Sequence, residues 1–406
     1  MLLRKIADKS PRDYCVYFAN ILFNLINYLW FIFMSIKPID KKLIVLESND
    51  DCCDNAYALF DYLCSSGIDK DYRIVWLVDH KDNFKDNDHI FYATKRPHPL
   101  YDYKTIKALA TCKWYIFDHV NAFSHLRKRK KQIIAYLSHG YAGFKAKKGH
   151  HKLKADMIMT TGDIPLQGCI YYFGEQCNAK VLGFSRLDYF YFNSKFDYAK
   201  YLIHSDRFKK SLIWMPTFRK CKIKCISEDY LNNTETGLPL LETEEDFLKF
   251  NMFLSSRSVQ LFIKIHPLQE GFSFFRKDFS NIKIIDNSYL SKNNIQLYQF
   301  IPVFDAMITD YSSVSTDYFL LNKPIVYLLD DYEEYKKTRG FYPDDPMKYM
   351  PGNHVYSYEQ FENAIVDICS DHDHYADSRK KLIPLFHKFQ DGYSSKRIAM
   401  YLGLEK

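Results

Sequence analysis

Four segments of the chain place polar or ionisable residues directly after short apolar runs. They are Ser138-His139-Gly140, Pro216-Thr217-Phe218-Arg219, Lys264-Ile265-His266-Pro267 and Asp310-Tyr311-Ser312-Ser313. Together they supply imidazoles, a guanidinium group and hydroxyls, which take protons or bind phosphate oxygens. One polar residue after a strand is ordinary, whereas four such strand ends in one chain indicate a ligand site.

His139 is the candidate general base among these residues. An imidazole has an unperturbed pKa of about 6.5, which suits proton transfer near neutral pH. Gly140 follows it, and glycine allows the backbone to approach a ligand closely or to turn with a positive φ. The alternative is that His139 only caps its strand.

The two serines stand where a helix is predicted to begin. The first N–H groups of a helix are unpaired and its dipole favours negative charge, so a diphosphate would fit there. The hydroxyls of Ser312 and Ser313 would add donors, and Asp317 on the first turns is a candidate acceptor for ligand hydroxyls. The alternatives are a simple serine N-cap and a carboxylate that complements the helix dipole.

Two further residues are candidate phosphate contacts. His266 precedes a proline, which holds its backbone extended, and it can donate to a phosphate oxygen. Arg219 follows a Pro-Thr turn, and guanidinium binds phosphate in a bidentate manner. The alternative for His266 is an ordinary surface histidine.

Alternating strands and helices must position these residues. Strands are predicted at KKLIVLES, YRIVWLVD and KQIIAYLSHG, and a helix at NAYALFDYLCSSG. The same alternation resumes at SLIWMPTFR and is typical of parallel α/β sheets, whose ligands bind at the carboxyl ends of strands. Because 406 residues are too many for one core, two α/β halves are predicted, with a boundary near residues 198–210.

Basic residues are concentrated on both sides of the candidate base. The chain has 56 Lys+Arg and 49 Asp+Glu, a net charge of +7. One basic run is 127–131, and the other comprises Lys145, Lys147, Lys148, Lys152 and Lys154. These runs indicate an anionic acceptor or a membrane surface, with a solvated face as the alternative. Nucleic acid is not predicted as a partner, because the runs lack interleaved aromatic residues and no nucleic-acid module is visible.

The ten cysteines are scattered and lack the spacing of a disulfide framework or a four-ligand zinc site. No metal and no cofactor are therefore predicted, and the cysteines are expected to be reduced.

The N-terminal region has an uncharged run, residues 14–36, that is long enough to span a bilayer. Asn20, Asn24 and Asn27 lie on one helical stripe, and basic residues flank both ends of the run. This pattern favours a helix in the interface beside anionic lipid headgroups, at the cytoplasmic face of the cell membrane. We therefore predict a membrane-associating segment over 1–41, surface-lying in preference to spanning, with a buried core helix as the alternative.

In their order along the chain, these segments resemble the CDP-glycerol glycerophosphotransferase family of teichoic-acid and related polymer synthesis. The resemblance runs from about residue 42 to about residue 396. It includes His139-Gly140 with its trailing lysines, LGFSRLD, MPTFR, KIHP, ITDYSSVSTDYFLLNKPIVYL, TRGFY and MPG. The sequence departs from the family at residues 141–144, where a Thr-Pro type turn is more usual, and in the basic loop 145–154. These departures concern the acceptor more than the donor.

The resemblance implies a GT-B-like α/β fold, in which two Rossmann-like domains face a cleft. Residues 42–205 would form the acceptor domain and residues 206–406 the CDP-alditol-binding domain. It also implies transfer of glycerol phosphate or ribitol phosphate, without a metal, from CDP-glycerol or CDP-ribitol to a lipid-linked glycan or polymer, with CMP leaving. His139 and His266 are the implied catalytic residues. The implied donor-binding residues are Gly140, Arg186, Thr217, Arg219, Ser312, Ser313 and Asp317.

Two other functions remain open on the sequence. One is a GT-B glycosyltransferase that uses a nucleotide sugar, and the other is a non-catalytic membrane scaffold of a surface-polymer complex.

Overall fold

Short apolar runs of the chain form two sheets of parallel strands in the computed structural model. The structure describes residues 11–95, 100–119, 126–140, 144–146, 153–192, 207–217, 235–265, 274 and 277–405. The prediction of two α/β halves built on parallel strands is confirmed.

The first sheet is built from the N-terminal half. Its strands among the described residues are β1 (Asp40–Glu47), β2 (Arg73–Val78), β3 (Ile90–Thr94), β4 (Cys112–Phe117), β5 (Ile133–Tyr136), β6 (Met157–Thr160) and β7 (Ala179–Val181). The helices of this half are α1 (Pro11–Met34), α2 (Asp54–Ser65), α3 (Tyr103–Thr111) and α4 (Asp163–Phe173). The strand order is β3-β2-β1-β4-β5-β6-β7. The direction of winding reverses between β1 and β4, so the loops after these strands open a crevice at the carboxyl edge.

The second sheet follows the same plan. Its strands among the described residues are β8 (Lys210–Trp214), β9 (Val259–Lys264), β10 (Ile282–Ile285), β11 (Ala306–Thr309), β12 (Ile325–Leu328) and β13 (Asn353–Val355). The helices are α5 (Glu244–Ser256), α6 (Asn287–Lys292), α7 (Leu297–Phe300), α8 (Val314–Tyr318), α9 (Tyr332–Thr338), α10 (Tyr358–Cys369), α11 (Ala376–Phe386) and α12 (Ser394–Leu402). The order β10-β9-β8-β11-β12-β13 reverses between β8 and β11.

The strands are largely buried and mostly apolar because helices cover both faces of each sheet. All six residues of β9 are buried, as are the last five of β1. Such continuous apolar runs are expected of parallel strands, which have no solvated face. Each sheet consequently has a core cluster on either side.

The last helix, α12, packs on the first sheet although it follows the second sheet in sequence. Its Ile398 and Leu402 belong to the same core cluster as residues of β1, β2 and β4, and Trp114 Nε1 donates to the Leu402 carbonyl at 2.9 Å. Asp188 accepts from the backbone N–H groups of Ser394 and Ser395 at 2.8 and 2.7 Å, which holds the start of the helix. The predicted range 206–406 therefore supplies one helix to the core of the other half.

The N-terminal helix α1 buries one side and exposes the other. Phe31 and Met34 pack into the core of the first sheet, and Asn27 Oδ1 accepts from the Tyr101 N–H at 3.0 Å. The exposed apolar side chains of its outer face are Phe18, Ile21, Leu22, Leu25, Ile26, Leu29, Ile32 and Phe33. Within the described residues, no helix combines the length and the apolar character needed to cross a membrane.

Candidate functional site

Residues of both halves line a cleft of about 1910 Å³. The first half contributes His139 and Arg186, and the second contributes Ser312 and Ser313. The loop after β1, residues 49–54, also lines the cleft, so the crevice of the first sheet opens into it. The structure thus brings together predicted site residues that are far apart in the sequence, such as His139 and Ser313.

His139 lies three residues beyond the end of β5, in a turn with unusual backbone angles. Ser138 has φ of +67° and Gly140 has φ of +114°, both in the region that favours glycine. A Cβ atom on Gly140 would lie 2.8 Å from Ser313 Oγ and 3.6 Å from Arg186 Nη2. The glycine therefore permits the two halves to approach each other closely beside His139.

The backbone on either side of His139 is held by buried side chains. Asn55 Nδ2 donates to the Ser138 carbonyl at 2.7 Å, and Asn55 Oδ1 accepts from the Arg186 N–H at 3.0 Å. Arg186 Nη2 in turn donates to the His139 carbonyl at 3.1 Å. These bonds leave His139 little freedom to change position.

Arg186 joins the two halves through a buried ion-pair network. Its Nη1 lies 2.7 Å from Asp54 Oδ1 in the first half, and its Nη2 lies 2.8 Å from Asp317 Oδ2 in the second. The side chains of Arg186 and Asp317 are only 3% and 5% exposed. Tyr298 donates to Asp317 at 2.6 Å, and its ring centroid lies 4.2 Å from the guanidinium carbon. The network therefore fixes the separation of the two halves at the cleft.

The opposite charges of this network stabilise one another's ionised forms. Burial alone would lower the pKa of Arg186, but the negative charges of Asp54 and Asp317 outweigh that effect and hold the pKa well above its usual value. Burial raises the pKa of Tyr298 far above its usual value, so Tyr298 remains a neutral donor to Asp317. One guanidinium is thus shared between two carboxylates.

The predicted phosphate-binding serines line the cleft beside helix α8. This helix has only five residues, and Ser313 makes no side-chain hydrogen bond to its start. The carbonyls of Ser312 and Ser313 accept from the hydroxyls of Ser315 and Thr316 at 2.9 and 2.8 Å. The N-cap alternative for Ser313 therefore lacks the hydrogen bond that defines such a cap.

Thr217 and Asp310 connect the loops after β8 and β11, where the second sheet reverses direction. Asp310 accepts from the Thr217 hydroxyl at 2.6 Å and from its N–H at 2.8 Å, and both residues are buried. This pair stiffens the edge of the sheet that carries Ser312. The predicted phosphate contacts Arg219 and His266 lie outside the described residues.

Three residues of the site were missed by sequence reasoning, namely Asp54, His119 and Tyr298. His119 follows β4, and its ring centroid lies 4.2 Å from that of His139. Burial lowers the pKa of His119, which keeps the ring neutral near pH 7. A signal was present, because the segment KWYIFDH places His119 shortly after an apolar run, as the segment KQIIAYLSHG does with His139.

Asp118, next to His119, is a buried carboxyl group. Its Oδ2 accepts from the Ala56 N–H at 2.9 Å, and its Oδ1 has no hydrogen-bond partner among the described residues. Burial, and then the nearby charge of Asp54, raise the pKa of Asp118 well above its usual value. Asp118 therefore takes up a proton more readily than an exposed carboxyl group would.

Comparison with known proteins relates the chain to enzymes of cell-wall polymer synthesis. The family model described as CDP-Glycerol:Poly(glycerophosphate) glycerophosphotransferase matches residues 29–165 and 171–403. The teichoic acid ribitol-phosphate polymerase TarK of Staphylococcus aureus is 23% identical over 98% of this chain and 74% of its own. The teichoic acid poly(glycerol phosphate) polymerase of Bacillus spizizenii is 26% identical over 87% of this chain and 88% of its own.

A third relative covers less of the chain. The teichoic acid ribitol-phosphate primase of Bacillus spizizenii is 28% identical over 54% of this chain, and the match spans about half of the primase, 52%.

Solved structures share the fold. The wall teichoic acid polymerase TagF has a TM-score of 0.72 at 17% identity, over 97% of this chain and 96% of that one. A His-to-Asn variant of TagF soaked with CDPG has a TM-score of 0.71 at 17% identity over the same shares. Staphylococcus aureus MnaA in complex with UDP has a TM-score of 0.51 at 12% identity, over 90% of this chain and 98% of that one. The predicted architecture of two parallel α/β sheets is thus shared with known proteins.

Proposed function

Because the chain belongs to the CDP-glycerol:poly(glycerophosphate) glycerophosphotransferase family, we propose that it transfers glycerol phosphate or ribitol phosphate from a CDP-alditol to a lipid-linked acceptor. The polymer would be a teichoic acid or a related cell-surface polymer, as for the polymerases and the primase compared above. The observation that carries the proposal is the close approach of the His139-Gly140 turn to Ser313 across the cleft. A base on one wall and phosphate-binding hydroxyls on the other are what this transfer needs.

The proposed step is an in-line phosphoryl transfer. The acceptor hydroxyl attacks the phosphorus that carries the alditol, its proton passes to His139, and the bond from that phosphorus to the oxygen of CMP breaks. Ser312 and Ser313 donate hydrogen bonds to phosphate oxygens, over which the negative charge is spread. Catalysis then depends on positioning and on electrostatic stabilisation by fixed donors.

His266 and Arg219 complete the proposed donor site on the basis of sequence. They follow β9 and β8, which pair with each other in the second sheet, and β8 pairs on its other side with β11. The carboxyl ends of parallel neighbours share one edge, so loops after these strands belong to the edge that carries Ser312. We assign phosphate contacts to both residues, and to Thr217 and Asp317 a part in shaping this edge.

The donor class is testable by product release. We expect purified full-length protein to release CMP from CDP-glycerol or CDP-ribitol, and only when a lipid-linked glycan acceptor is present. A UDP-sugar and CDP itself serve as matched controls, because they share the diphosphate but lack a CDP-bound alditol. Release of UDP alone would favour a nucleotide-sugar glycosyltransferase, and no release from any donor would favour a scaffold.

We also propose that the outer face of α1 lies on the cytoplasmic surface of the cell membrane, where a lipid-linked acceptor would be held. This face exposes a stripe of large apolar side chains, including Leu22 (54%), Leu25 (51%) and Leu29 (56%). Lys37, Lys41 and Lys42 follow the helix and would meet anionic headgroups. An apolar stripe with flanking basic residues supports interfacial binding.

Vesicle binding tests this proposal. We expect the variant Leu22→Ser/Leu25→Ser/Leu29→Ser to bind phosphatidylglycerol vesicles at least about tenfold more weakly than the wild type in sedimentation, because three apolar side chains no longer enter the bilayer. The control is Leu248→Ser/Met252→Ser, which removes exposed apolar side chains from α5 of the second half. Equal binding by the triple variant and the wild type would exclude this face as the membrane contact.

A further inference from the structure

We propose that Tyr136 is a positioning residue for the base: its hydroxyl accepts from Nδ1–H of His139 and thereby leaves Nε2 as the atom that takes the acceptor's proton. The inference rests on the proposed function, in which His139 is the base. It adds a residue that touches neither donor nor acceptor in the proposed reaction and acts through the imidazole.

The position of the Tyr136 hydroxyl is set by the first sheet. Tyr136 is the last residue of β5, its side chain is buried, and its Oη lies 2.9 Å from His139 Nδ1. Its ring centroid lies 4.8 Å from that of Phe117 on β4 and 6.5 Å from that of Phe173 on α4. Packing on two sides keeps the hydroxyl at one place relative to the imidazole.

The direction of this hydrogen bond decides whether His139 can act as a base at Nε2. A neutral imidazole carries one N–H, on Nδ1 or on Nε2. If Tyr136 donated to Nδ1, the proton would occupy Nε2 and that atom could not accept another. If Nδ1–H donates to Tyr136 Oη, Nε2 carries no proton and can accept one. A tyrosine hydroxyl oxygen has lone pairs, so Tyr136 can accept this bond while its hydroxyl keeps its own proton.

The same bond becomes stronger when His139 takes a proton. An imidazolium donates a charge-assisted hydrogen bond, which is roughly twice as strong as a neutral one. Tyr136 therefore favours the protonated form of His139 that follows proton abstraction. The bond both orients the ring and stabilises the charge that develops on it.

Among the described residues, His119 and Arg186 are compatible with this arrangement. His119 packs its ring against that of His139 from the loop after β4, and burial keeps it neutral, so it adds no second positive charge. Arg186 donates to the carbonyl of His139, and its charge is balanced by Asp54 and Asp317. Three charged groups also affect the pKa of His119: Asp54 and Asp50 raise it, and Lys95 lowers it.

The test is the pH profile of a Tyr136→Phe variant of the full-length protein, with the CDP-alditol that the wild type uses and a lipid-linked glycan acceptor. We expect kcat/KM on the plateau to fall roughly 10- to 100-fold, as when an imidazole loses the partner that orients it. We also expect the acid limb to move to lower pH by about one unit, because the protonated imidazole loses the bond that stabilised it. A merely structural change would lower the plateau without moving the limb.

The matched control is Tyr115→Phe. Tyr115 is a buried tyrosine on the neighbouring strand β4, and its hydroxyl donates to Glu47. We expect this variant to keep the wild-type acid limb. An unmoved limb in Tyr136→Phe would overturn the inference, whatever the plateau does. If His139→Gln keeps wild-type turnover, the proposed base fails instead, and the two failures are thus distinguished.

Discussion

A His139→Gln variant is expected to turn over the CDP-alditol roughly 100- to 10,000-fold more slowly than the wild type, as for the loss of a general base. Glutamine retains hydrogen-bonding groups but cannot take the proton of the acceptor hydroxyl. Binding of the CDP-alditol should change little, because the proposed phosphate contacts belong to the second half. Initial rates of CMP release and calorimetric titration with the donor measure the two quantities separately.

His372→Gln is the control for this substitution, since His372 is an exposed histidine in a loop of the second half and its ring lies beside that of His374. It should leave both the rate and the donor affinity at wild-type values. Wild-type turnover by His139→Gln would remove His139 from the mechanism. A loss of donor affinity equal to the loss of rate would assign His139 to binding.

An Arg186→Met variant is expected to lose both stability and activity. Removal of the guanidinium leaves Asp54 and Asp317 without their shared cation, and Asp317 is 5% exposed. Breaking a buried ion pair in this way costs about 3–5 kcal/mol of unfolding free energy. Urea unfolding followed by tryptophan fluorescence measures this cost, and CMP release measures the accompanying loss of activity.

The matched comparison is Arg73→Met, which breaks the ion pair with Asp40 at a site where the arginine side chain is 59% exposed. That change should cost at most about 1 kcal/mol, because water screens exposed pairs. Arg186→Lys should be intermediate, since an ammonium restores the charge but not the planar fork that bridges Asp54, Asp317 and the His139 carbonyl. Equal stability of the two methionine variants would contradict the proposed role of the network.

Local patterns predicted the parts of the fold that have strong local signals. The strand predicted at KKLIVLES is β1, and the helix predicted at NAYALFDYLCSSG is α2. The strands that were not predicted include β7, residues 179–181, and β13, residues 353–355. These two lie at the sheet edges and have three residues each, which is too short for a period of two to be visible.

For the candidate site, local patterns likewise predicted some of the residues but not the contacts between them. His139 and Ser313 could be proposed from sequence because each follows an apolar run in a recognisable turn. Arg186 was assigned to the donor through resemblance, whereas its ion pairs with Asp54 and Asp317 depend on how the two halves pack. No spacing along the chain reports a contact between residues 131 positions apart, such as Arg186 and Asp317.

The packing of α12 on the first sheet could not be predicted for the same reason. The apolar positions Ile398 and Leu402 predict a helix with one buried side, but they do not indicate which sheet that side covers. Which of the two similar parallel sheets the helix covers is decided by tertiary contacts, such as that of Trp114 with the end of the helix. The alternation of strands and helices predicted a single boundary between the two halves. In the folded molecule the chain passes back to the first half a second time, at α12.

That second crossing has a consequence for synthesis on the ribosome. The strands of the first sheet emerge early, but the side chains that complete one of its cores, Ile398, Ala399, Leu402 and Leu404, are made after the whole second sheet. Until then α2 alone contributes helix residues to this cluster among the described residues, although N-terminal domains commonly fold first. This core cluster of the first half is therefore completed only after α12 has been translated.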